Sequence, residues 1–177
     1  ISKDAKIHLN KSFIIIAKNI SDATIQITVN NNRRTVTKKI LLSAIRFFLI
    51  GDLYKNSLKE ADKALFNFNS TASLKKSRQK KAGIIFPPFL CEKFLRNINY
   101  EKLKISKDVF VIFASILEYI CSQILECTRD NLYNEKRSRF QTRDIDLAIK
   151  NDSELSFLFK KNRIKFMKGI LIPFIHP

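Results

Sequence analysis

Ile1-Ser2-Lys3-Asp4 and Ile105-Ser106-Lys107-Asp108 are the same tetrapeptide, and each copy stands directly before a long stretch of apolar residues at helical spacing. The register persists downstream, where Arg33 falls on Arg137, Ala44 on Ala148, Ile45 on Ile149 and Arg46 on Lys150. A register kept through two helices marks a tandem repeat, so both halves are read as one kind of structural unit. That unit is helical and basic.

From Ser2 to about Asn30 the residues Leu9, Phe13, Ile16, Ile20, Ala23 and Ile27 alternate four and three apart, the seam of a long amphipathic helix. Ser2 is placed to cap its first turn, and Asp4 sets a negative charge at the positive end of the helix dipole. After the interruption at Asn30 to Arg34, a short helix is predicted from Thr37 to Leu49 with Gly51 ending it, then a third from about Asp52 to Phe68. Between Asn69 and Gly83 the apolar signal nearly vanishes. Lys75, Lys76, Arg78, Lys80 and Lys81 crowd a stretch without helical period, which reads as a linker. Pro87 or Pro88 then starts a short helix to about Asn97 with Phe89, Phe94 and Leu95 on its buried side. The long helix repeats from Ser106 to about Tyr133 through Phe110, Phe113, Leu117, Ile120, Ile124 and Cys127. A basic loop from Glu135 to Phe140, short helices over Thr142 to Lys150 and around Asp152 to Phe159, and an irregular tail complete the chain.

Three glycines and four prolines in 177 residues leave little room for strands and turns, so the composition points to an all-α protein. Hydrophobic residues make up 45% of the chain, enough for a packed core. A formal net charge of +17 predicts attraction to a polyanion, with nucleic acid ahead of a membrane surface. No apolar run is expected to reach the roughly 20 residues of a spanning helix, and Glu118 interrupts the most apolar stretch. Cys91, Cys121 and Cys127 are an odd number without metal spacing, which suits a reducing compartment. No signal peptide is visible, and Ile1 is not a natural start, so further residues are expected upstream. His8 and His176 stand far apart, no glycine loop cradles phosphate, and no catalytic site, cofactor or metal is expected.

Short helix, long helix, short helix joined by basic loops is the outline of the histone fold, although other helical bundles share that periodicity. The residues narrow it. Ala82-Gly83-Ile84-Ile85-Phe86-Pro87, Leu95-Arg96, Asn99-Tyr100, Leu117-Glu118-Tyr119, Ile124-Leu125-Glu126, Leu147-Ala148-Ile149 and Asn151-Asp152 resemble histone 2A. The first half resembles histone 2B through Ile1-Ser2, Arg33, Thr35-Val36-Thr37, Ala44-Ile45-Arg46, Gly51-Asp52-Leu53 and Lys63-Ala64. The order, 2B then 2A in one polypeptide, is similar to the histone doublets of large DNA viruses that infect protists. The short first helix of the 2B half does not occur in the sequence, the loop before Ser106 is one residue longer, and Phe89 and Leu90 replace a Gly-Arg pair.

The resemblance implies two tandem histone folds paired in an intramolecular handshake: a 2B-like fold over residues 1–68, a basic linker over 69–83, a 2A-like fold over 84–159 and a docking tail over 160–177. It implies nonspecific wrapping of double-stranded DNA without chemistry, in chromatin of a host nucleus or in a viral factory and virion. Partners similar to histones 3 and 4, separate or fused as a second doublet, are expected, with no membrane and no small-molecule substrate. Phosphate contacts are expected from Ser2 and Lys3 with Arg137, Ser138 and Arg139 at one end. At the other they are expected from Lys102, Lys104 and Ser106 with Arg33, Arg34 and Thr35, and along the first 2A helix from Lys93 and Arg96. Arg33 and Arg139 match minor-groove arginines. Arg137 and Asp144 match an internal clamp whose counterpart in the first half is Ile40. Asp52, Glu60, Glu118, Glu126, Asp152 and Glu154 match an acidic patch that binds arginine anchors, with Gln123 and Ser153 neutral where the family is acidic. A histone-fold transcription-factor pair and a basic RNA-binding helical protein are the alternatives.

Overall fold

A computed structural model of the chain describes residues 1–71, 75–134, 139–167 and 170–173. Its described residues form eight α-helices and four short strands. Helix α1 (Lys3–Asn30) starts where Ser2 Oγ accepts the Ala5 amide at 3.1 Å, with Asp4 in the first turn. It buries Phe13, Ile16, Ile20 and Ile25 completely or nearly so. Ser12, Thr24 and Thr28 are also buried on it, each hydroxyl donating to the carbonyl four residues earlier, which satisfies the polar group inside the core. Asn32, at φ 52°, turns the chain out of the helix in the left-handed conformation that asparagine tolerates.

Strand β1 (Thr35–Val36) leads to α2 (Lys38–Ile45), α3 (Gly51–Ser70) and a five-residue helix α4 (Arg78–Ala82). Helix α5 (Pro88–Ile98), strand β2 (Lys104–Ile105) and the second long helix α6 (Lys107–Asn134) follow. Proline occupies the first turn of α5, where its missing N–H costs nothing. Helices α7 (Thr142–Asn151) and α8 (Ser153–Lys161) precede strands β3 (Ile164–Met167) and β4 (Ile170–Pro173), which pair antiparallel.

Two compact units emerge: residues 17–120 form one, and residues 1–16 with 121–177 form the other. Both long helices therefore contribute to both units, and neither unit coincides with one sequence half. The first unit contains the end of α1, helices α2 to α5 and the start of α6, with Leu41, Ile45, Leu49, Leu95, Ile112 and Ile116 in its interior. The second contains the start of α1, the end of α6, α7, α8 and the paired strands, with Ile124, Ile145, Leu155 and Leu158 buried.

Five expectations need correction. Gly51 does not end the short helix: α2 stops at Ile45, and Gly51, at φ 57°, opens α3. The stretch 69–83 is not wholly aperiodic, because α3 runs on to Ser70 and α4 forms where Ser77 Oγ accepts the Lys80 amide. The apolar contact that holds α4 lies outside its own sequence: Ala82 packs with Ala64 and Val111, flanked by Phe68 and Ile84. Phe89 is not on the buried side of α5 but 58% exposed. The tail is not irregular over 164–167 and 170–173, since β3 and β4 pair antiparallel there. Finally, α6 from Lys107 to Tyr133 is long and apolar enough to match a spanning helix, yet 61% of its most apolar window is buried in protein, as a core helix requires.

Candidate nucleic-acid interface

Within the 17–120 unit, the loop after α1 lies against the loop before α6. Thr35 pairs with Lys104 and Val36 with Ile105 in a parallel bridge. The Lys104 amide donates to the Arg34 carbonyl at 3.0 Å, and the Ser106 amide to the Val36 carbonyl at 3.1 Å. Arg33, Arg34, Lys102 and Lys104 are all exposed around this bridge. Lys102, at φ 51°, sits in a turn that Asn99 closes, its side chain both accepting from and donating to the Leu103 backbone. The two-stranded bridge thus has four exposed cations on and beside it.

Within the other unit, the Ser2 amide donates to the Phe140 carbonyl at 2.8 Å. In the repeat register Ser2 corresponds to Ser106 and Phe140 to Val36, so each unit contains the same bond once. Lys3 and Arg139 are exposed beside it. Arg137 and Ser138, and with Arg137 the proposed clamp, lie outside the described residues. The carboxylate of Asp144 is buried and accepts the Gln141 amide at 2.8 Å, capping α7.

Lys93 is exposed on α5. Arg96 is exposed as well but is bound: Glu92 holds it at 2.8 Å and Arg78 of α4 at 2.5 Å. Hydrogen bonding from Arg78 is the largest influence on the Glu92 carboxyl and, with lesser help from Arg96, holds it below its ordinary value against the opposing cost of desolvation. Both guanidinium carbons lie over the Phe110 ring, at 5.6 and 5.9 Å from its centre. Sequence reading missed this cluster. The Glu92–Arg96 spacing of one helical turn was its single local signal.

The acidic residues divide between the units. Asp52 and Glu60 are exposed on α3, each near a lysine three residues on. Glu118 is committed internally, its Oε2 accepting the Ile85 and Phe86 amides at 2.6 and 2.8 Å. In the other unit Glu126 is exposed and accepts from Gln123, while Asp152 caps α8 by accepting the Glu154 and Leu155 amides. Asp152, Asp130 and Glu126 all act on Cys127, adding to the burial that raises its thiol pKa, so these carboxylates share one neighbourhood. No cluster of metal-ligating side chains occurs among the described residues.

No family model matches the chain. Histone 2A.2 of Lodderomyces elongisporus is 39% identical over 100 residues, which is 56% of this chain and 75% of that histone. The chain belongs to the histone family. Histone 2A of Kluyveromyces lactis matches this histone at 34% identity over 107 residues, 60% of the chain and 80% of that protein. Histone 2B.v1 of Dictyostelium discoideum is 29% identical over 175 residues, covering 84% of the chain and 76% of its own length. A match of that extent must run through both halves of this histone, because neither half supplies so much of the sequence. The all-α expectation holds, in the form of the histone fold.

Proposed function

We propose that this histone is a fused 2B–2A doublet that packages double-stranded DNA without sequence specificity, as part of a nucleosome-like particle. The observation that carries the reading is similarity to both histone types along one chain, with a match that runs through both halves. The repeated bond, Ser106 to Val36 in one unit and Ser2 to Phe140 in the other, supports a handshake pairing in which the start of each long helix meets the loop after the other. Each such meeting gathers cations: Arg33, Arg34, Lys102 and Lys104 in one unit, Lys3 and Arg139 in the other. Cations and backbone amides at these sites suit phosphates and carry no base code, so they position DNA without reading it. Residues 1–68 and 84–159 are then the two histone folds, and the tail from residue 160 docks on a neighbour.

Partners similar to histones 3 and 4, single or fused, complete the particle, since one pair offers too little surface to wrap a duplex. Its setting is chromatin, in a nucleus or in a viral factory and virion. Glu126, Asp152 and Glu154 form the arginine-binding face of the 121–177 unit, weakened by the neutral Gln123 and Ser153. Reconstitution with the two partner histones on DNA, followed by nuclease digestion, tests the reading. A discrete protected fragment is expected. A continuous smear means charge-driven coating, and protection of one motif alone means a histone-fold transcription factor.

A further inference from the structure

The Arg78–Glu92–Arg96 cluster joins three elements of the 17–120 unit. Arg78 belongs to α4, Glu92 and Arg96 to successive turns of α5, and Phe110, which both guanidiniums overlie, to the start of α6. The Glu92 side chain is 21% exposed, Arg78 37% and Arg96 60%, so the carboxylate sits beneath two cations that reach outward. Arg96 lies one turn beyond Lys93, and both are exposed on α5. Two guanidiniums converging on one oxyanion are also how proteins hold a phosphate, by charge-assisted bonds in forked geometry.

We propose that Glu92 is an internal stand-in for a DNA phosphate, occupying Arg78 and Arg96 and thereby restraining this histone's grip on the duplex. The inference rests on the DNA-packaging reading. With the carboxylate present, the cluster carries one net positive charge in place of two, and the donors of both guanidiniums that face Glu92 are already engaged. A phosphate approaching α5 finds Lys93 exposed and Arg96 exposed but already paired with Glu92. This sets how many phosphates the protein neutralises, and hence how steeply its affinity responds to salt, without altering what it recognises.

The test is binding of the full chain to a short duplex across a salt series, with Glu92→Gln, Arg96→Gln and the double variant beside the native protein. At Glu92 glutamine keeps the size of the side chain and removes its charge; at Arg96 it removes the guanidinium. Glu92→Gln is expected to steepen the log–log salt slope by about 0.9 to 1.8, one or two additional phosphates, and to raise affinity several-fold near physiological salt. Arg96→Gln is expected to change the native slope little, but to lower it by about 0.9 in the Glu92→Gln background. If Arg96→Gln alone lowers the native slope by that amount, Arg96 is an ordinary phosphate contact and the inference is overturned, even should Glu92→Gln fail to fold. An unchanged slope in a folded Glu92→Gln protein overturns it equally. Absence of any salt dependence in the native chain would instead remove the DNA-packaging reading beneath it.

Discussion

His8 is buried on the first turns of α1, and that burial pushes its imidazole below the ordinary value of 6.5. Asp146 opposes the shift and Lys11 adds to it. The folded protein therefore resists a proton that the unfolded chain accepts. The contribution to stability is complete above about pH 6.5 and is lost as pH falls toward the lower folded-state value. Urea midpoints taken from pH 7.5 to 5.5 should fall, and His8→Gln should flatten that dependence; a flat native profile refutes it. Glu118 allows a second prediction. Its carboxylate accepts two backbone amides ahead of α5, so Glu118→Ala should destabilise the fold by about 1.5–3 kcal/mol in urea melts, and Glu118→Gln, which keeps an acceptor, by less. Equal stability of all three forms would show those amides to be satisfied by water. Cys91 is buried where the other two thiols are of intermediate exposure, and that burial raises its pKa to about 12. Alkylation at neutral pH should label Cys121 and Cys127, of intermediate exposure, well before Cys91.

At the level of elements, the junction between the halves is largely built structure. Thr71 Oγ1 donates to the Lys81 carbonyl at 3.2 Å, Ala82 sits in the small core with Ala64 and Val111, and Arg78 is tied to Glu92. Lys75 and Lys76 are exposed and precede α4, whereas Lys80 and Lys81 lie within it. Trypsin should therefore cut after Lys75 or Lys76 first. The two fragments should then elute together at physiological salt, because residues 1–16 and 121–177, on opposite sides of the cut, belong to one compact unit. Separation of the fragments would disprove the pairing of the halves. Gly83 closes α4 at φ 70°, where an added Cβ meets Asn67 only at an ordinary 3.5 Å. Gly83→Ala should thus cost about 1–2 kcal/mol from backbone conformation alone.

For the whole molecule, net charge is the controlling quantity. A charge of +17 spread over loops and helix surfaces releases counterions on binding, so affinity for duplex DNA should fall steeply with salt and barely differ among unrelated sequences. Strong preference for one motif at fixed salt would contradict the packaging reading.

The repeat, the long helices and their starts were legible because they depend on short-range causes. A four-and-three spacing sets a helix face, and Ser2 caps the turn that follows it. The serine that opens each long helix is the same residue in the repeat register, and in the fold its amide makes the corresponding bond each time, Ser106 to Val36 and Ser2 to Phe140. Phe89 was misplaced because an 11-residue helix entered through two prolines admits more than one apolar face. Helix α4 was missed because the apolar partners of Ala82 are Ala64 and Val111, neither of them near it in sequence. Glu118 and Glu92 were beyond sequence reading for the same reason. A carboxylate has one charge and several possible donors, and only tertiary packing brought Glu118 to amides more than thirty residues away and Glu92 to Arg78 of the junction helix.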